Sequence, residues 1–253
     1  MEILIIGAIL GFVIGITGLG GGMLTTPTLV LFFNVPITTA IGTSLLFAGI
    51  TKIAAASVYV YRRSICTKLI SFLAFGSVPG TILGSYSLHL LNEKYPILVN
   101  KLLPILVVLL IFISVIFSFY KSYIKKDLID IDIRNRPYLI SLLGFIIGFE
   151  IGLTSIGSGV LVTAILMAVC PLVPSKIVGS DIVHGLILSL VAGSVHYSLG
   201  NVDEVIATKL ILSGVIGAFV GAFISPKVSQ DKLKIALYFF IIFLSFGFLL
   251  KKI

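Results

Sequence analysis

The chain has 253 residues, of which 58% are hydrophobic and 11% charged, with a formal net charge of +8. A soluble domain carries about 25% charged residues, so a soluble fold is excluded and an all-α polytopic membrane protein is implied. The basic residues sit between apolar runs, where they act as orientation signals; the positive balance therefore does not point to nucleic acid.

The N-terminus, MEILIIGAIL, lacks a basic n-region and a small-residue cleavage site. It reads as a retained first helix rather than a signal peptide. Apolar segments fall at 3–16, 23–33, 37–60, 67–91, 97–120, 137–153, 159–170, 175–198, 205–225 and 233–250. The charged stretch 121–136, KSYIKKDLIDIDIRNR, divides them. The expected organisation is a first membrane half (1–120), a cytoplasmic linker (121–136) and a second membrane half (137–253). Cys66 and Cys170 lack paired Cys/His spacing, which argues against a disulfide or a metal site.

The first interruption is GITGLGGGMLTTP, residues 15–27, with glycines at 18, 20, 21 and 22. Glycine weakens a helix and lets the backbone take other conformations. Residues 3–33 as one straight helix would span about 46 Å, against a hydrocarbon core of about 30 Å. Either a tilted span breaks at Gly20–Gly22, or two half-helices form a re-entrant hairpin. The interruption recurs as GLTSIGSGVLVT, residues 152–163, with Gly20 falling on Gly157 and Gly22 on Gly159. At the same displacement Gly42-Thr43-Ser44 falls on Gly179-Ser180-Asp181, Ser57 on Ser194, and Gly80 and Gly84 on Gly217 and Gly221. Two homologous halves of about four hydrophobic helices each are therefore expected, the first helix of each broken at a glycine-rich turn. Half-length helices fit the bilayer better than one over-long helix, which favours inverted repeats. The Lys and Arg distribution does not separate inverted from parallel repeats. Both arrangements place loops 61–68 and 121–136 in the cytoplasm.

Broken helices at matching positions of two apolar halves point to a transporter's binding site. Helix amino ends carry free N–H groups and partial positive charge, so Gly20, Gly21, Gly22, Gly157, Ser158 and Gly159 can cradle an anion. Thr25, Thr26, Ser155, Ser158 and Thr163 can add hydroxyl donors. The bland alternative is close helix packing through small residues. Thr43, Ser44, Ser180 and Asp181 lie a few residues into helices that start near Pro36 and Pro174. Asp181 is a carboxylate inside an apolar run, which is costly and usually functional. His184 follows on the same helix face, so an Asp–His pair can bind and release a proton.

Lys52 is the basic residue well inside an apolar segment; it should face a cavity, a carboxylate or an anion, unless it snorkels. Glu150 is a second intramembrane carboxylate and a candidate partner. His196 lies near a helix end with Asp203 in the following loop, and reads equally as an interfacial or a proton-coupling residue. Tyr59, Tyr61, Tyr86, Tyr95, Tyr138 and Tyr197 sit near proposed span ends, as an aromatic belt would. P-loop, HExxH and nucleophile-elbow motifs are absent from the sequence, so no enzyme activity and no cofactor is expected.

These residues carry a resemblance. ITGLGGGMLTTPTLVLFFNVPITTAIGTSLLFAGITK (16–52), LTSIGSGVLVT (153–163) and VGSDIVHGLILSLVAGSVHYSLGNVD (178–203) resemble the two halves of the sulfite exporter (TauE/SafE) family. The resemblance implies a multi-pass plasma-membrane protein moving a small sulfur-containing anion such as sulfite or a sulfonate. It marks Gly20, Gly21, Gly22, Thr43, Lys52, Gly157, Gly159, Asp181, His184 and His196 as family-like; Ser44 and Glu150 depart from the pattern. The expected function is a secondary transporter, an exporter of a small anion coupled to protons. A non-transporting membrane scaffold and an anion channel are the alternatives. The expected partners are the anion and the lipid bilayer, with self-association into a homo-oligomer left open.

Overall fold

The computed structural model describes residues 1–17, 21–123, 136–156 and 172–225, with positions 159, 162–163, 165–166, 228, 239, 242–244 and 246–247. Gly18, Gly20, Gly157, Ser158, Cys170 and most of the linker and last apolar segment lie outside the described residues. Among the described residues the structure has eight helices: α1 (Glu2–Thr17), α2 (Gly21–Phe33), α3 (Ile37–Tyr61), α4 (Thr67–Lys94), α5 (Pro96–Tyr123), α6 (Pro137–Thr154), α7 (Pro174–Ser198) and α8 (Glu204–Ile224). Among the described residues there is no strand.

Local chemistry fixes the boundaries. Proline opens α5, α6 and α7 and caps α3 as Pro36, where its missing N–H is not needed. Asp203 caps α8, its side chain accepting the Ile206 N–H. Ser155 ends α6 in the left-handed conformation at φ 67. Helices α3 to α8 are long and apolar enough to cross a membrane. At about 1.5 Å per residue, α1 and α2 reach only about 24 and 20 Å, short of a bilayer core. Large apolar side chains such as Ile5, Phe75, Ile97, Ile216 and Phe223 face outward, as lipid contact requires. The chain is a multi-pass helical membrane protein.

Two helix pairs share one design. α1 packs along α8, and α4 along α6. A Cβ on Gly11 would strike the Gly214 backbone, and a Cβ on Gly148 the Ser77 backbone. Gly7 meets Leu210 as Gly144 meets Leu73. The displacement that carries Gly20 onto Gly157 carries Gly11 onto Gly148 and Gly7 onto Gly144, and their partners move back by the same step. Close backbone approach through small residues is a principal source of helix association in lipid, so here the bland reading of glycine holds.

Helix directions follow from contact order. Gly7, Gly11 and Gly15 meet Leu210, Gly214 and Ala218 in turn, so α1 and α8 run parallel. Phe47 meets Gly214 and Tyr59 meets Ser225, so α3 runs with them. Gly21 meets Ala48 while Thr26 meets Ser44, so α2 runs against α3 and therefore against α1. The chain reverses between Thr17 and Gly21, which makes α1 and α2 a hairpin of half-helices rather than one tilted span. α3 and α7 are each 25 residues long, and the repeat displacement carries the first residue of one onto the first of the other. They run antiparallel, with Gly49 on Leu190 and Gly193 on Leu46.

Candidate functional site

The amino end of α2 is buried: Gly21, Gly22, Met23 and Leu24 are all enclosed. The first-turn N–H groups of a helix have no partner within it. Gly22 lies directly on Ser155, and a Cβ there would strike the Ser155 carbonyl and hydroxyl oxygens. The close approach requires glycine. Ser155 Oγ lies 2.7 Å from Thr26 Oγ1, which is 2.7 Å from Ser44 Oγ; Ser44 Oγ is 3.3 Å from Ser155 Oγ. Three hydroxyls from α2, α3 and the end of α6 thus close a triangle. Thr25 Oγ1 is buried with no hydrogen-bond partner among the described residues. Gly22 at the amino end of α2 lies on Ser155, the carboxy-terminal cap of α6, so helix ends of opposite polarity meet there. Gly159, the described glycine of the second turn, is buried at φ 114, and its carbonyl accepts the Thr163 N–H at 2.8 Å.

The second cluster is ionisable. Lys52 stands mid-way along α3 and is 1% exposed, which rules out snorkelling. Asp181, on α7, is 2% exposed. Lys52 and Asp181 are near enough for each charge to act on the other. Thr163 Oγ1 donates to Asp181 Oδ2 at 2.5 Å, and Asp181 Oδ1 has no hydrogen-bond partner among the described residues. His184 does not bond Asp181. Its Nε2 is 2.8 Å from Ser77 Oγ of α4, and its Nδ1 has no hydrogen-bond partner among the described residues. Asp181 and His184 share a helix face as expected, but they face different neighbours.

Other expected site residues are used elsewhere. Thr43 Oγ1 accepts the Asp203 N–H at 2.9 Å, and Ser180 Oγ accepts the Cys66 N–H at 2.8 Å. Both tie a helix to the loop beside it, and the displacement that carries Gly20 onto Gly157 carries Thr43 onto Ser180 and Cys66 onto Asp203. His196 is fully buried rather than interfacial, its Nε2 2.9 Å from the Gly152 carbonyl. Glu150, half-buried on α6, accepts from Thr154 Oγ1 at 2.7 Å. Tyr59 is not a belt residue either: it is buried, its hydroxyl 3.3 Å from Ser225 Oγ. The other five tyrosines of the expected belt are exposed. Ser77 escaped sequence reasoning, because a serine in an apolar helix ordinarily bonds its own backbone. Among the described residues, no group of three or more His, Cys, Asp or Glu is arranged to hold a metal.

A family model described as "Sulfite exporter TauE/SafE" matches residues 3–248. The chain belongs to the TauE/SafE family. Similar relatives are three proteins of Bacillus subtilis (strain 168). "Probable membrane transporter protein YjnA" is 31% identical over 238 residues, covering 92% of this chain and 93% of the relative. "Probable membrane transporter protein YunE" is 28% identical over 251 residues, with coverages of 89% and 88%. "Probable membrane transporter protein YdhB" is 27% identical over 247 residues, with coverages of 94% and 95%. No solved structure matches the chain. Membership makes this TauE/SafE chain a membrane transporter and gives the buried polar centre a physical reason. Charge and unsatisfied hydroxyls deep in a lipid-facing bundle are costly, and packing alone does not need them.

Proposed function

We propose that the chain is a secondary transporter exporting a small anion, sulfite or an organosulfur anion, with protons as the coupling ion. The observation that carries this reading is Lys52, enclosed at the middle of α3 within reach of the Asp181 charge. Positive charge there can hold an oxyanion away from water. The buried amino end of α2 and the Thr26–Ser44–Ser155 hydroxyls supply further donors. Asp181 takes and releases the proton, held by the Thr163 hydroxyl. The family description supports the sulfur-anion class.

The two halves, 1–120 and 137–253, act as inverted repeats about the α3–α7 crossing. The antiparallel run of these equal-length helices supports this arrangement. The linker and the loop after α3 carry the basic residues and lie in the cytoplasm. Purified protein in proteoliposomes should show counterflow of radiolabelled sulfite. Competition by thiosulfate, sulfate, taurine, sulfoacetate and simple carboxylates ranks the substrate class. Competition by carboxylates alone would discard the sulfur-anion assignment, and flux without counterflow would indicate a channel.

A further inference from the structure

The hydrogen bonds around the centre come in displaced pairs. Thr26 meets Ser44 at 2.7 Å, and Thr163 meets Asp181 at 2.5 Å. The displacement that carries Gly20 onto Gly157 also carries Thr26 onto Thr163 and Ser44 onto Asp181. It relates the Thr43–Asp203 and Cys66–Ser180 contacts as well. Ser44 and Asp181 are therefore equivalent places in the two halves, one a neutral hydroxyl and the other an acid.

We infer that Asp181, as the single acid of these two equivalent places, fixes the coupling at one proton per monoanion, moved together and without net charge. This rests on the anion-carrier reading above. Lys52 and ionised Asp181 sum to zero. A monoanion added beside Lys52 leaves one uncompensated negative charge in the membrane interior, which is strongly disfavoured. A proton on Asp181 Oδ1, the oxygen with no hydrogen-bond partner among the described residues, restores neutrality. The loaded site then holds Lys52 with the anion, and the empty site holds Lys52 with Asp181. Both are neutral and can reorient in lipid. Anion alone or proton alone leaves a net charge, so half-loaded forms stay put and coupling is tight.

The surroundings fit this assignment. α3 presents Lys52, whose charge acts on Asp181. α4 presents Ser77, which engages His184 of α7 itself. α6 carries Glu150, but towards the opposite end of α7, where His196 bonds Gly152. An exporter of this kind loses a proton with each anion, so accumulated substrate, not membrane voltage, drives it outward.

The test uses full-length protein in proteoliposomes with a lumenal pH dye, a potassium–valinomycin voltage clamp and isethionate, a sulfonate of fixed single charge. Wild-type uptake should acidify the lumen by one proton per isethionate and should not respond to voltage. S44D, which installs a second acid beside Thr26, should keep one proton per isethionate and no voltage response, because neutrality of the empty and the loaded site alike then needs one acid to stay protonated throughout. D181N should take up isethionate without protons, carrying negative charge inward, or should not transport at all. Wild-type isethionate uptake without lumenal acidification, or uptake driven by positive-inside voltage, would overturn the inference while leaving the carrier intact. An unchanged proton ratio in D181N would overturn it equally. Absence of both isethionate and sulfite flux in monodisperse wild-type protein would count against the carrier reading itself.

Discussion

His184 and Ser77 join α7 to α4 through a 2.8 Å hydrogen bond, and the displacement that carries Gly20 onto Gly157 carries Phe47 onto His184 and Ser77 onto Gly214, Phe47 and Gly214 packing on each other. One contact pairs a ring with a hydroxyl, the other a ring with a glycine whose missing side chain leaves room for it. Ser77→Ala leaves the buried imidazole without that partner, which costs about 1–3 kcal/mol and should lower the Tm in detergent. His184→Phe alone crowds Ser77 and should also destabilise. The double variant S77G/H184F copies the Phe47–Gly214 contact and should recover much of the lost Tm. A double variant no more stable than H184F would deny the equivalence of the two contacts.

Lys52→Ala should reduce saturable sulfite uptake in proteoliposomes to the protein-free level. Its elution on size exclusion should stay monodisperse, because the carboxyl of Asp181 can neutralise itself by protonation. Lys52→Arg keeps the charge but is larger, and should retain partial uptake. Wild-type uptake affinity in Lys52→Ala would remove the lysine from the substrate's path.

Gly22→Ala drives a methyl group into the Ser155 carbonyl. Overpacking of this kind costs about 1–3 kcal/mol, and the neighbour here is backbone, which yields poorly. A lower Tm together with impaired sulfite counterflow is the expected pair of results. An unchanged Tm would mean that the turn and the α6 cap separate easily.

Asp203 holds α8 twice, by capping Ile206 and by donating its N–H to Thr43. Asp203→Ala should cost about 1 kcal/mol through the lost cap, while Asp203→Asn should be nearly neutral. Thermal unfolding of the two variants side by side checks the order.

The inverted arrangement proposed above expects Ser198 outside the cell and Arg63 inside. In a background with both cysteines replaced by serine, Ser198→Cys should react with an impermeant maleimide in intact cells. Arg63→Cys should react only after permeabilisation. Protection of both positions in intact cells is the pattern of parallel repeats.

The helices were legible because apolar length and proline punctuation act locally: Pro36, Pro96, Pro137 and Pro174 all stand at helix starts. The burial of Lys52 and Asp181 was legible too, since a charge inside a span must be enclosed. Partners were not. Ser77 of α4 bonds His184 of α7, and Thr26 of α2 bonds Ser155 at the end of α6, both far apart in the chain. Nothing local in an apolar helix announces which hydroxyl turns outward. His196, which the sequence left equally interfacial or proton-coupling, is held inside by the Gly152 carbonyl.

The glycine-lined contact of α1 with α8 has a consequence for how the protein is made. α1 ends at Thr17 and its partner begins at Glu204, so the ribosome finishes most of the chain before that surface can close. Until then the nascent first helix shows a grooved flank with nothing synthesised to fill it. Membrane insertion of this chain must therefore include a waiting stage, in which lipid or an insertase shields the groove until the late helix arrives.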